Sequence, residues 1–477
     1  MSADLPTVRR LAEPVVNVPD MTSFYRHGWH SWSPTGWVPP DEVVRPIPDR
    51  GRRLGHDDPV FALERRVSGS GFGVGRRDDG HAVLLGSLDP GARVLPENGT
   101  LVGQSEVSDP HWVAIEGSVQ DVFAVYASEL VHHLGSRPRR HQRVWCSWYS
   151  YYEDVTAASI EAEVDAAGDL GFDVIQIDDG WQAGIGDWIP AGDFVGRMPE
   201  LAERIGASGR RAGLWLAPFI ARSDSELATT RAELLLRDDD GNPVTAGINW
   251  GGPYFALDTT SKETQEYIAS VIAEVRQWGF DYLKLDFLYA AAFPGRQAHP
   301  MAREAAYRNG LNIVREAAGD DCYLLACGAP IIASVGIADG IRIGPDVAEF
   351  WHDPQLTALA DFSGRGARNA IATSSQRLWL RDVLDCDPDV VYIDESEHRL
   401  EPSTVEALVA LAQITGFTGA SDRLGRLSVA ERRRLSSLLE TEPDVVQRDW
   451  GVWSVDDSTF DFPEMVGADS ELCRSVA

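Results

Sequence analysis

Asp281-Tyr282-Leu283-Lys284-Leu285-Asp286-Phe287 is the stretch on which the reading of this 477-residue chain turns. Tyr282, Leu283, Leu285 and Phe287 form an almost continuous apolar run, as in a short parallel strand covered on both faces. Lys284 and Asp286 are two apart and so point to the same side. A buried Lys and Asp on one face is costly unless the pair is useful or mutually neutralised. Lysine is a rare choice here: only Lys262 and Lys284 occur, leaving arginine at 41 of the 43 basic positions.

Outward from this strand the pattern alternates. Upstream, residues 144–150, 174–177 and 212–217 read as strands, the second running into Asp178-Asp179-Gly180-Trp181 and the third stopping at Pro218. Residues 156–170 and 198–208 read as helices. Thr260-Ser261-Lys262-Glu263 reads as a capping box for a helix that turns Ile268, Val271, Ile272 and Val275 inward and stops near Gly279. Downstream come a helix at 301–317, strands at 323–326, 340–343 and 390–393, and a helix capped by Ser403-Thr404-Val405-Glu406. A strand at 416–421 and a helix over about 429–439 complete the series. Eight strands alternating with helices predict an α/β fold with a parallel sheet, and eight units favour a (β/α)8 TIM barrel over a doubly wound sheet. No GxGxxG or GxxxxGK follows a strand, so no nucleotide cofactor is expected. The long connection 221–259 is expected to lie over the barrel mouth as a loop that could serve as a lid.

The residues before the alternation differ in kind. Short apolar pieces separated by clusters such as Arg77-Asp78-Asp79-Gly80 and Asp89-Pro90-Gly91 suit an antiparallel β-sandwich. His27-Gly28-Trp29-His30-Ser31-Trp32-Ser33-Pro34-Thr35-Gly36-Trp37 crowds three Trp into a stretch that cannot be a regular element. Such Trp either form a sugar-stacking platform or fill an interface. Residues 134–143, with Gly135, Pro138 and four arginines, read as a linker. The expected division is a sandwich domain over 1–138, a catalytic barrel over 139–436 and a short extension over 437–477, with Trp450, Trp453 and Phe460 as its apolar content.

Composition narrows the partners. A net charge of −30 and a pI near 4.7 argue against nucleic acid and anionic membranes. An acidic, lysine-poor chain fits a salt-adapted host or codon bias equally. Cys146, Cys322, Cys327, Cys386 and Cys473 are scattered without a CxxC, which is neither a disulfide framework nor a zinc site. The opening MSADLPTVRR lacks an apolar core of the signal-peptide kind, and no apolar run approaches about 18 residues, so a cytoplasmic enzyme is expected.

In a barrel the chemistry sits at the C-terminal strand ends. These carry Trp148 and Tyr149, Asp178 and Asp179, Trp215, Lys284 and Asp286, Cys327 and Gly328, Arg342 and Asp346, Asp394, and Ser421 and Asp422. Aromatic faces stack on sugar rings and carboxylates take hydroxyl hydrogen bonds, so the set suits a carbohydrate. Two carboxyl groups flanking a glycosidic bond are the minimum for glycoside hydrolysis. Lys284 beside Asp286 is expected to favour its anionic form and make it a nucleophile candidate. Asp346, on a Gly344-Pro345 turn near Val347, Phe350 and Trp351, is expected to have a raised pKa and act as general acid.

Tyr282-Leu283-Lys284-Leu285-Asp286-Phe287, Ile177-Asp178-Asp179-Gly180-Trp181, Gly213-Leu214-Trp215-Leu216-Ala217-Pro218 and Arg342-Ile343-Gly344-Pro345-Asp346, in their order, resemble the α-galactosidases of glycoside hydrolase family 36 over roughly residues 141–425. His30-Ser31-Trp32-Ser33-Pro34 is similar to part of that family's β-sandwich domain. The resemblance implies a retaining double displacement on α-galactosides, without metal or other cofactor. It implies Asp286 as nucleophile and Asp346 as acid/base, with Asp178 and Asp179 binding the 4- and 6-hydroxyls of galactose. It also implies Lys284 and Arg342 as sugar contacts, Trp215 as a pocket wall, Cys327 near the 2-hydroxyl and Trp32 reaching in from the N-terminal domain. The expected partner is a small oligosaccharide substrate. Family members usually carry a β-rich C-terminal domain; here the remaining stretch is too short for a sandwich, so the oligomeric state stays open, a homo-oligomer included. A related α-glycosidase or galactosyl transglycosylase with another preference, such as an α-N-acetylgalactosaminide, would use the same site. A metal-dependent barrel enzyme would need carboxylates on successive strand ends, which Trp215-Leu216-Ala217 and Cys327-Gly328 do not offer. A non-catalytic sugar binder should lack one of the two carboxyl groups.

Overall fold

Tyr282–Leu285 is a fully buried strand in the computed structural model, which describes residues 6–359 and 361–467. Cys473 and the first five residues of the opening lie outside the described residues. Parallel ladders join the strand to Arg211–Leu216 and to Tyr323–Ala326. The whole parallel sheet runs Asp385–Asp387, Gly340–Arg342, Tyr323–Ala326, Tyr282–Leu285, Arg211–Leu216, Val174–Ile177, Gln142–Cys146, Phe417–Ala420 and Val390–Val391. Chain order and spatial order agree from Gln142 to Asp387. Parallel neighbours need crossovers; the helices Ala157–Ala167, Met198–Ala207, Lys262–Trp278 and Arg303–Ala318 supply the first four along this run, and the last two carry the shorter helices Ile331–Ser334, Pro354–Ala358 and Ala367–Gln376. The fold is thus α/β, with a curled parallel sheet.

Local readings need correction at four places. Strand character stops at Cys146, and Trp148–Tyr151 is helical. The cap of Lys262–Trp278 is Ser261, which accepts from Thr264 N, whereas the Thr260 hydroxyl donates to Asp258. Pro402–Thr415 starts from Glu401, ahead of the expected cap, because proline at the first helical position has its φ already set. Asp385–Asp387 is a strand with no apolar alternation to announce it.

Two antiparallel sheets precede the parallel one. Six strands order as Thr7–Leu11, Trp112–Ser118, His81–Ser87, Phe72–Arg76, Ser23–Arg26 and Gly36–Val38; four order as Val15–Asn17, Thr100–Ser105, Ala92–Glu97 and Gly69–Ser70. Phe24, Val83, Leu85 and Ala114 from the first share one buried cluster with Val16, Val94 and Leu101 from the second. The all-β expectation fails at its end. Val119–Leu134 is a helix, capped by Ser118 and burying Val122, Phe123, Tyr126 and Leu130.

Residues 221–259 are not a loop. Ile220–Arg222, Gly252–Ala256 and Thr245–Asn249 form a three-stranded antiparallel sheet. A second small sheet, Val445–Asp449, Val452–Val455 and Ser458–Asp461, follows the last long helix. Its turn residue Trp450 packs on Phe123 at 4.1 Å and Tyr25 at 5.7 Å between ring centroids. Among the described residues no helix is long and apolar enough to cross a membrane.

Candidate active site

Asp286 leaves its strand still held by the ladder, its backbone N donating to Leu216 O at 2.8 Å. Two further donors fix the carboxyl group: Phe287 N reaches Oδ1 at 2.8 Å and Trp215 Nε1 reaches Oδ2 at 3.2 Å. Phe287 has φ +52°, a left-handed conformation that a bulky residue keeps only when its surroundings hold it. Those surroundings are aromatic. Trp32, Trp250 and Tyr254 meet the Phe287 ring at 5.3, 5.1 and 5.5 Å. The turn leaves both Asp286 and Phe287 on the wall of one hollow.

Asp346 stands on that wall four residues after Arg342, whose Nη1 donates to its Oδ1 at 3.0 Å. The rest of the Arg342 fork faces Asp387, with Nε to Oδ2 at 2.8 Å, and Asp389, with Nη2 3.0 Å from Oδ1 as an ion pair off hydrogen-bond alignment. The guanidinium is buried, which three carboxyl groups make tolerable. Asp389 also accepts from Val347 N at 2.8 Å and from the Tyr149 hydroxyl. Burial, then the negative charge of Asp389, raise the pKa of Asp346 to about 6, against the pull of Arg342 and Lys284. Its side chain keeps 45% of its surface open, so this burial is that of a recess wall rather than a dry core.

Lys284 does not neutralise Asp286 as its register suggested. Its Nζ donates to Asp178 Oδ2 at 2.9 Å. Burial, the largest single influence, favours the neutral amine, but the negative partners around it, Asp178 foremost, together raise its pKa and keep the ammonium charged. Asp178 also accepts from Gln176 Nε2 at 2.6 Å and Cys146 Sγ at 3.2 Å on the same oxygen. Asp179 accepts from Gln182 Nε2 on Oδ1 and from Trp250 Nε1 at 2.8 Å on Oδ2. Burial nonetheless lifts its pKa to about 6.

Seven of the nine expected residues therefore line one hollow of about 230 Å³: Trp32, Asp178, Asp179, Trp215, Lys284, Asp286 and Asp346. Arg342 and Cys327 are buried and absent from its walls. The strand-end residues Asp394 and Asp422 lie elsewhere, with Asp422 accepting from the backbone N of Ile393 and Asp394. Trp250, Asn249, Ser363 and Arg365 line the hollow without having been singled out, and Trp148 and Phe287 do so although no role was assigned to them. Trp148 was legible as a strand-end aromatic. Phe287 was legible as the residue after Asp286 at a strand end, whereas Trp250, Asn249, Ser363 and Arg365 come from loops and from the inserted sheet, whose placement no local pattern encodes.

The three clustered Trp divide between the two functions open to them. Trp29 is buried and donates Nε1 to Glu304 Oε1 at 2.9 Å, and Trp37 packs on Tyr25 at 5.5 Å. Trp32 alone reaches the hollow. Its loop is held by the buried guanidinium of Arg377, which donates to the carbonyls of Gly28, His30, Ser31, Ser33 and Ile343. On the far side Gly328 has φ +52°, and a Cβ there would lie 3.0 Å from the Trp32 indole.

A carboxyl pinned by two N–H groups and a second that keeps its proton to about pH 6 now share one aromatic-walled hollow. That division between two carboxyl groups is what acid-assisted displacement at a sugar carbon uses. Similarity to known proteins points the same way. The Melibiase family model matches residues 115–316. TtGalA, an α-galactosidase from Thermus thermophilus whose structure holds p-nitrophenyl α-D-galactopyranoside, is 41% identical, with a TM-score of 0.91 over 97% of this chain and 95% of that one. A second structure of TtGalA, with stachyose, gives 43% identity and a TM-score of 0.85 over 91% of this chain and 93% of that one. The bifunctional α-galactosidase/sucrose kinase AgaSK of Mediterraneibacter gnavus is 28% identical over 149 residues, which are 29% of this chain and 15% of that protein. The α-galactosidase AgaA of Geobacillus stearothermophilus is 26% identical over 180 residues, 35% of this chain and 24% of its own length. The chain thus spans less than a quarter of the length of these two curated relatives.

Proposed function

Because the chain belongs to the α-galactosidases of glycoside hydrolase family 36, we propose that it hydrolyses terminal α-galactosides, of the melibiose and raffinose type and aryl α-galactosides, by a retaining double displacement. The observation that carries this is the opening of Asp286 and Asp346 into one hollow from contrasting surroundings. In the first step the Asp286 carboxylate attacks the anomeric carbon while Asp346 gives its proton to the glycosidic oxygen, and the aglycone leaves. In the second, Asp346 takes a proton from water as that water attacks the same carbon, and Asp286 is released. Asp178 and Asp179 take hydroxyls of the sugar, with Lys284 tying Asp178 down. Trp32, Trp215 and Trp250 wall the ring, and displace the water that would otherwise compete. Arg342, its fork already engaged by three carboxyl groups, acts by holding Asp346 rather than by touching sugar.

The ladder reads best as one closed (β/α)8 barrel. Its two terminal segments, Asp385–Asp387 and Val390–Val391, are parts of one strand interrupted at Pro388 and Asp389. The hollow is then the barrel mouth, where such enzymes carry their chemistry. Domains over 1–138, 139–436 and 437–477 remain the division we favour. The test is Asp286→Asn: turnover of p-nitrophenyl α-galactoside should fall by about 10³-fold or more and return on adding azide, with an azido galactoside as product. Substantial turnover without azide would remove Asp286 as the nucleophile.

A further inference from the structure

Three side chains far from the catalytic assignment meet on the N-terminal sheets. Asp89 follows the His81–Ser87 strand, His111 immediately precedes Trp112–Ser118, and His133 lies in the last turn of Val119–Leu134. Their ligating atoms all lie within 4.8 Å of one another. His111 Nδ1 is 2.9 Å from Asp89 Oδ2, and His133 Nε2 is 2.8 Å from Asp89 Oδ1. The two imidazole centroids are 4.7 Å apart. The backbone beneath is fixed: Leu88 N donates to His111 O at 2.9 Å, and Ser87 Oγ both accepts from Asp89 N and donates to Asp89 O.

Two imidazoles and one carboxylate make a donor set for first-row transition metals, whereas magnesium and calcium prefer oxygen donors alone. We propose that Asp89, His111 and His133 bind one divalent transition-metal ion of the zinc class. Each nitrogen facing Asp89 becomes a ligand at about 2.0–2.1 Å from the ion, its imidazole remaining neutral with its proton on the other ring nitrogen. Water fills the fourth position. His111 is 64% exposed, so the ion enters directly from solvent. The bound ion ties the end of the helix to two strands of the sheet. Directly beyond that end, Leu134 O presses on Gly336, where a Cβ would lie 2.2 Å away. All three ligands belong to the N-terminal region, so the metal braces the helix end that abuts Gly336 and does not itself cross to the parallel sheet. None of its three ligands lines the catalytic hollow, so the proposal is independent of the galactosidase reading.

The test is titration of the full chain, free of any purification tag, with zinc sulfate by calorimetry and with cobalt(II) by visible absorption. One equivalent should bind, with upward movement of the thermal midpoint. The paired variant His111→Ala and His133→Ala should bind at least tenfold more weakly and lose the thermal shift, with its circular dichroism unchanged. His111→Ala alone, at the exposed position, repeats the comparison if the pair fails to fold. Absence of binding, equal binding in the variants, or equally tight binding of magnesium would overturn the site.

Discussion

At Asp346 burial and the charges of Asp389 and Asp286 oppose those of Arg342 and Lys284, and the proton is retained up to about pH 6. Proton donation needs the acid form, which is full below that value and lost above it. For substrates with poor leaving groups kcat/KM should therefore fall about tenfold per pH unit above 6. Asp389→Asn removes a negative neighbour and should move this limb to lower pH; an unmoved limb in that variant would separate Asp389 from the titration. Asp346→Asn should slow melibiose hydrolysis far more than that of a p-nitrophenyl α-galactoside, which needs no proton to leave. Equal losses on the two would argue against an acid role. The residues in question were legible because a strand-end carboxyl is a strictly local signal. The partner of Lys284 was not. A two-residue spacing fixes the side to which a side chain points, but Asp178 on the neighbouring part of the sheet decides what the ammonium reaches.

Trp250 belongs to the element scale, since it faces the hollow only because Thr245–Asn249 and Gly252–Ala256 form a hairpin around it. Trp250 and Gly251 have φ +50° and +76°, the paired left-handed turn that suits a two-residue hairpin. Its indole N–H bonds to Asp179 while its ring lies against Phe287. Trp250→Phe keeps the ring and removes the donor. Losing one hydrogen bond to a buried carboxyl costs about 1–3 kcal/mol, so KM for aryl α-galactosides should rise about tenfold or more with kcat changed little; an unchanged KM would place the N–H outside the binding machinery. The hairpin was hidden because Gly251-Gly252-Pro253 breaks its strands into pieces too short for an alternation to register. Val119–Leu134 was different. Its apolar residues at 119, 122, 123, 126, 127 and 130, with Ser118 capping, carry a plain helical period, overridden by the strand pattern before them. Asp385–Asp387 had no signal to find. Its acidic side chains are buried because Arg342 and Tyr323, distant in sequence, receive them.

The whole molecule depends on how its N-terminal sheets seat on the parallel one, and Glu304 is central to that seating. It opens the helix Arg303–Ala318, and its two oxygens accept from Trp29 Nε1 at 2.9 Å and Gly91 N at 2.8 Å. One buried carboxyl thus clamps both the Trp32 loop and a turn of the four-stranded sheet. Burial lifts its pKa from 4.5 to about 7, despite the two donors. Below pH 4.5 folded and unfolded chains both hold the proton, and no difference arises. Between 4.5 and 7 only the folded chain holds it, so folding takes up a proton and stability falls as pH rises. Above 7 both are ionised and the loss, about 3 kcal/mol, is complete. A chain of net charge −30 also repels itself more as its other carboxyl groups ionise. Glu304→Gln, compared with the parent at one ionic strength, subtracts that common background. The variant loses an acceptor and starts less stable, but its thermal midpoint should decline less between pH 5 and pH 8. Parallel declines would mean that the clamp does not titrate. A midpoint difference that shrinks with rising pH, together with a higher KM in the variant, would tie the seating of the two sheets to the shape of the hollow, because Trp29 and Trp32 ride on the same loop.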